Sequence, residues 1–136
     1  MSWNRRVRRW AQRLRPWGRA AAPPADAHAL GRWGEALAAK TLRRGGMRIL
    51  ERNYVARNGE IDLIAGDGET VVFVEVKTRR STVFGAPEAA VDATKRRRAR
   101  RAAREYLRPW LKRAPDTPCR FDIVAIDLDE SGRRPR

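Results

Sequence analysis

Three carboxylates and a lysine fall close together in the middle of the chain: Glu60 and Asp62, then Glu75 and Lys77. Side chains alternate along a strand, so Glu60 shares a face with Asp62, and Glu75 with Lys77. If residues 60–65 and 71–77 pair as a hairpin around Gly66-Asp67-Gly68-Glu69, a two-residue loop at Gly68-Glu69 sets Asp62 opposite Glu75 and Glu60 opposite Lys77. A loop at Asp67-Gly68 shifts the partners by two and keeps the shared face, whereas an odd loop length breaks it. Two acids beside an apolar run such as Val71-Val72-Phe73-Val74 repel each other unless a cation fills the gap. Mg²⁺ or Mn²⁺ suits such a pair, because these ions take oxygen ligands and keep waters, leaving positions for phosphate oxygens and an attacking water. Lys77 would then orient or deprotonate that water, or stabilise charge developing on phosphorus. The plainer alternative is a cross-strand ion pair of Lys77 with Glu60 or Asp62 on a solvated face.

Other chemistries are poorly supplied. The single histidine, His28, lies in a linker-like stretch, which argues against a Ser-His-Asp arrangement and against histidine-dependent zinc nuclease motifs. One cysteine, Cys119, makes neither an internal disulfide nor a zinc ribbon, and points to a reducing cytoplasm. With 136 residues and 35% of them charged, the chain has room for one soluble domain with tails and is too polar for an integral membrane protein.

The elements that must hold the acids read in the order helix, three strands, helix, strand. Leu30, Trp33, Leu37 and Thr41 share a helical face that stops at Gly45-Gly46. Residues 47–54 suit a short strand, and Asn58-Gly59 is a turn signal before the hairpin. In that hairpin Ile61, Leu63 and Ala65 fall on one side, and Val72, Val74 and Val76 on one side of the next strand. A helix is predicted over 88–108, ended by Pro109, and a strand over Phe121–Leu128. The domain is placed at 28–130, with an extension and linker at 1–27 and a basic tail at 131–136. In the extension, Trp3, Val7, Trp10, Leu14 and Trp17 have helical spacing, with arginines on the other faces. That pattern fits a helix on a membrane or a partner; a poorly ordered basic arm is the other reading.

The chain carries 31 Lys and Arg against 16 Asp and Glu, a net +15, which makes a polyanion the expected partner, nucleic acid first. Arg-rich codon usage is a competing source of that bias. On the second helix Arg97, Arg101, Arg104 and Arg108 line one face with Arg100 on its flank, while Ala99, Ala103, Tyr106 and Trp110 take the opposite face. Backbone phosphates would relieve the repulsion among these arginines. Lys95 lies toward the packed side, within reach of either phosphate or the acids; Arg79 follows the acidic strand and is placed to hold a nucleic-acid strand. No motif for reading base edges is present, so backbone, shape or branching is the expected signal.

Gly34-Glu35, Asn58-Gly59-Glu60-Ile61-Asp62-Leu63-Ile64, Phe73-Val74-Glu75-Val76-Lys77-Thr78-Arg79, Phe84-Gly85 and Arg120-Phe121-Asp122, in that order, resemble the bacterial YraN family. That family belongs to the PD-(D/E)XK nuclease-like superfamily and is related to Holliday junction resolvases. The likeness spans residues 28–128. It implies an α/β restriction-endonuclease-like core with a mixed central sheet flanked by helices. It also implies Asp62 and Glu75 as metal ligands, Lys77 as the catalytic lysine, and Glu35 as the helical acid that completes the metal site. On spacing alone Glu35 reads equally as an exposed helix residue. The proline that commonly precedes the Asp is replaced by Ile61, a change that touches no chemical group. The activity implied is Mg²⁺-dependent hydrolysis of DNA, branched or single-stranded, by a symmetric dimer. A nucleic-acid-binding module without cleavage, and an adaptor tethered through the N-terminal helix, are the alternatives.

Overall fold

The computed structural model describes residues 2–10, 23–79 and 93–128, with the backbone alone for 2–10, Arg79 and Ala93. The elements are β1 (Ser2–Trp10), α1 (Ala27–Arg44), β2 (Arg48–Ala56), β3 (Gly59–Asp67), β4 (Thr70–Arg79), α2 (Ala93–Leu111) and β5 (Pro118–Asp127). They form a mixed sheet in the order β1-β5-β4-β3-β2. Strands β2, β3 and β4 are antiparallel neighbours, while β5 runs parallel to β4 and β1 parallel to β5. From α1 to β5 the order is the predicted one, and the architecture is α/β with a helix on each face.

Asp26 caps α1, its carboxylate accepting the Ala29 N–H at 2.8 Å. At the other end Gly45 caps the helix and Gly46 takes a φ of 93°, a conformation that costs glycine nothing. Leu30, Leu37, Ala38 and Leu42 of α1 pack on Leu63, Ala65, Val72, Val74, Val124 and Ile126. On the opposite face Ala102, Ala103 and Leu107 of α2 meet Ile61, Ile64, Val71, Phe73 and Cys119. Burying both sheet faces explains the nearly continuous apolar runs of β4 and β5.

Three expectations need correction. Ser2–Trp10 forms a strand and not the start of an amphipathic helix; residues 11–22 lie outside the described part. Without β1, the outer edge of β5 would carry a row of unpaired backbone groups, and pairing from Ser2↔Pro118 to Trp10↔Val124 satisfies them. Tryptophan and valine are good strand formers, so this tertiary gain overrides the spacing. Helix α2 runs through Pro109 to Leu111, although the missing N–H at Pro109 costs the helix the bond to the Glu105 carbonyl. Trp110, which its spacing assigns to the packed face, is 47% exposed and contacts Tyr106.

Two glycines bring the helices close to the strands that bear the acids. A Cβ at Gly59 would lie 2.7 Å from the Arg98 carbonyl oxygen, so only glycine lets α2 cross the start of β3 this closely. A Cβ at Gly34 would collide with the Thr78 side chain, whereas one at Gly31, a turn earlier on α1, meets nothing within 4 Å. Gly31→Ala is therefore expected to stabilise the protein by about 0.5–1 kcal/mol through helix propensity. Gly34→Ala should destabilise it by about 1–3 kcal/mol through overpacking. Urea titrations of the two variants check this, and equal stabilisation by both would show that α1 does not press on β4 at Gly34.

Candidate active site

The β3–β4 turn has the two-residue Gly68-Glu69 loop, with Asp67 opposite Thr70 and Gly68 at φ 58°. Its tip is tied to β5 by Arg120, which contacts Asp67 at 3.0 Å and the fully buried Asp122 at 3.1 Å. From there the paired residues run down to Leu63↔Val74 and stop, one pair short of Asp62 and Glu75. Beyond this point β4 stays with β5 as far as Arg79↔Asp127, while β3 stays with β2 as far as Gly59. The two strands part at the acids.

The parting decides where Asp62 points. The Val76 N–H, which has no backbone partner on β3, donates to Asp62 Oδ2 at 2.8 Å. Ile61 departs from the alternation and joins the α2-side core with Ile64, while Leu63 and Ala65 stay on the α1 side as expected. A carboxylate thus replaces a ladder bond at the sheet's opening, facing Glu75.

The helices deliver one charged group each. Half-buried Glu35 arrives from α1, directly after the Gly34 contact. Its carboxyl is raised above the usual range by burial and by Glu60 and Glu75, against a hydrogen bond from Asn53 and the charge of Arg32. Lys95 arrives from α2 and places Nζ 2.6 Å from Glu75 Oε1. Burial alone would lower the Lys95 ammonium, but the Glu75 carboxylate outweighs it and holds the group above its ordinary value. Lys77 is pushed the other way, by burial and by Lys95, to which it is hydrogen-bonded. A lysine held down in this manner gives up its own proton more readily than an exposed one.

The four residues singled out for catalysis are therefore gathered at one place, and Lys95 joins the acids. Arg97, Arg100, Arg101, Arg104 and Arg108 lie exposed along α2, on the side away from Ala102, Ala103 and Leu107. The Arg79 side chain lies outside the described residues. Asn53 was not legible as a site residue: it sits in β2 at a φ of 49° and braces Glu35. Asparagine tolerates that left-handed conformation, and its poor strand propensity within a strand pattern is the one sequence signal it carries.

Among the described residues no three acidic, histidine or cysteine side chains converge tightly enough to cage an ion. The donor chemistry nonetheless fits a hard divalent cation, which is commonly held by one or two carboxylates with water and substrate phosphate. Asp62 and Glu75 supply the carboxylates, and Glu35 is the third acid in range.

Asp62 reports how short of positive charge the site is. Burial first, then the charges of Glu75 and Glu35, raise it from 3.8 to about 7, against the Val76 N–H and Lys95. A carboxyl raised in the folded state keeps its proton after the unfolded chain has lost it. Stability therefore falls as pH rises from 3.8 toward about 7 and is level above, a loss on the order of 4 kcal/mol. In chelator, Asp62→Asn should escape that loss: its advantage in urea titrations is absent at pH 3.5, opens through pH 5–6 and is constant above pH 8. Parallel pH profiles for the two proteins would count against the buried acid pair.

The chain was compared with known proteins. Residues 34–126 match the sequence model of the Uncharacterised protein family UPF0102. A UPF0102 protein of Moorella thermoacetica is 50% identical over 103 residues, covering 76% of this chain and 84% of that protein. One from Nocardia farcinica is 50% identical over 114 residues, covering 81% and 84%. Another from Chlorobium limicola is 50% identical over 104 residues, covering 76% and 79%. The segments used to recognise the YraN type all lie within or beside the matched span. The chain belongs to the UPF0102 family, which is the family of the YraN proteins.

Proposed function

We propose that the protein is a divalent-metal-dependent nuclease that hydrolyses phosphodiester bonds in DNA, with branched and single-stranded forms as the foremost substrates. The observation that carries this reading is the placement of Asp62 against Glu75 where β3 and β4 part, with Lys77 following on the same strand. Mg²⁺, or Mn²⁺ in its place, would be held by Asp62 and Glu75 with Glu35 beside them, and would supply Lewis-acid activation of the phosphate. Lys77 takes a proton from the attacking water as its oxygen bonds to phosphorus and the bond to the leaving sugar oxygen breaks. The exposed arginines of α2 hold the backbone of the strand presented to the acids. Cutting both strands of a duplex requires two such sites, which is the reason to expect a homodimer. The lone buried thiol of Cys119 suits a reducing compartment, and we place the activity in the cytoplasm. No helix among the described residues is long and apolar enough to cross a membrane.

A second reading is a nucleic-acid-binding module that does not cut, for which the exposed arginines of α2 would suffice without the acids. Cleavage of a labelled panel of duplex, single-stranded, flap and four-way-junction DNA with Mg²⁺ or Mn²⁺ separates the two. Glu75→Ala and Lys77→Ala should each slow cutting by about a hundredfold or more while leaving binding in place. Binding without cutting by any of the three proteins would leave the module. Replacing Arg97, Arg101, Arg104 and Arg108 together by Gln should lower the slope of log affinity against log salt by roughly 3. An unchanged slope would remove α2 from the interface.

A further inference from the structure

Lys95 occupies an unfavourable place for a structural lysine. It lies at the start of α2, which has no acidic residue in its first turn, so its ammonium sits at the positive end of the helix dipole. It also sits beside a second lysine, Lys77. The contact with Glu75, at 2.6 Å, works against these two repulsions. A cation shared between Asp62 and Glu75 must use the carboxylate that Lys95 engages. The Lys95 side chain is 46% exposed on a four-carbon stem, whereas that of Glu75 is only 19% exposed on the sheet. The Lys95 ammonium can therefore leave Glu75 by movement of its own stem, without disturbing the sheet. Leaving Glu75 would also bring it to the arginine-bearing end of α2, where a phosphate is the natural partner.

We propose that Lys95 is an exchangeable counter-ion: it neutralises Glu75 in the metal-free protein, is displaced when a divalent cation binds between Asp62 and Glu75, and is thereby released to contact the scissile-strand phosphate. This rests on the metal site proposed above. The exchange makes Lys95 a positioning residue that couples metal loading to phosphate binding, distinct from Lys77, which stays beside the acids. Metal enters at the cost of one ion pair, so the empty site is stable and its affinity for metal is held down.

The test is calorimetric titration of the full-length, DNA-free protein with Mn²⁺, together with melting in chelator, for wild type, Lys95→Met and Lys95→Arg. Lys95→Met should bind Mn²⁺ roughly tenfold more tightly than wild type, equivalent to about 1.4 kcal/mol. In chelator it should melt about 4 °C lower, and saturating Mn²⁺ should restore the difference. Lys95→Arg, which keeps the charge, should stay near wild type in both measurements. Equal or weaker Mn²⁺ binding by Lys95→Met, with wild type binding normally, would overturn the exchange and leave the metal site standing. Absence of Mn²⁺ binding from all three proteins would overturn both.

Discussion

Repulsion between Asp62 and Glu75 is the constraint around which the rest of this molecule is arranged. Burial at the opening of an apolar sheet, and then the charge of Glu75, drive the Asp62 carboxyl up to about 7. A domain of this size has only a modest margin of stability, and an uncompensated buried acid pair would consume much of it. Three features offset the cost. The Val76 N–H donates to Asp62, Lys95 sits on Glu75, and the opening itself leaves the pair in reach of solvent and cations. An apolar pair would have packed there with less conflict.

The scaffold turns this conflict into a defined geometry by clamping it from both faces. Gly34 brings α1 against Thr78, and Glu35, the next residue, is carried to the acids; Gly59 lets α2 cross the start of β3, and Lys95 is carried to Glu75. Glu105 of α2 strengthens that crossing by accepting the Arg57 N–H at 3.1 Å in the β2–β3 turn. Tyr106 adds edge contacts to Tyr54 and Phe73 across the same interface. The far end of the hairpin is held by Arg120, between Asp67 and Asp122. Strands β3 and β4 are thus fastened at the turn and separated at the site.

Much of this was legible in the sequence because the core elements announce themselves by short-range rules. The periodicity of Leu30 to Thr41 and the Gly45-Gly46 stop each depend on neighbouring residues alone, and each reads correctly; of the two loops open to the hairpin, the structure takes Gly68-Glu69. Loop parity predicted a shared face for Asp62, Glu75 and Lys77, and the structure brings the three together where the ladder has already ended. What did not follow is the parting of the strands: a perfect ladder keeps Ile61 with Leu63, and only the loss of pairing beyond Leu63↔Val74 explains why Ile61 turns to the other core. The N-terminal segment was misread because helical spacing of Trp3, Val7 and Trp10 says nothing about the open edge of β5, which exists only after folding. Asn53 and the Glu75 contact of Lys95 depend on tertiary placement in the same way.

The charges that surround the acids differ in how far they can move, and this separates their roles. Lys77 belongs to a central strand paired with β5 and shares its half-buried surroundings with the acids, so its position is held by the sheet. Glu35 is braced by Asn53, whose left-handed backbone is itself held by β2 on one side of the opening. Lys95, by contrast, starts a helix whose other basic side chains face solvent. A long flexible ammonium at the boundary between an acid pair and an arginine surface feels both fields, and a small change in charge at the acids decides which one it answers. The proposed coupling of cation and phosphate needs no movement of the sheet or of either helix. One side chain that exchanges partners would be enough, because Lys95 stands between the acid it contacts and the exposed arginines of α2.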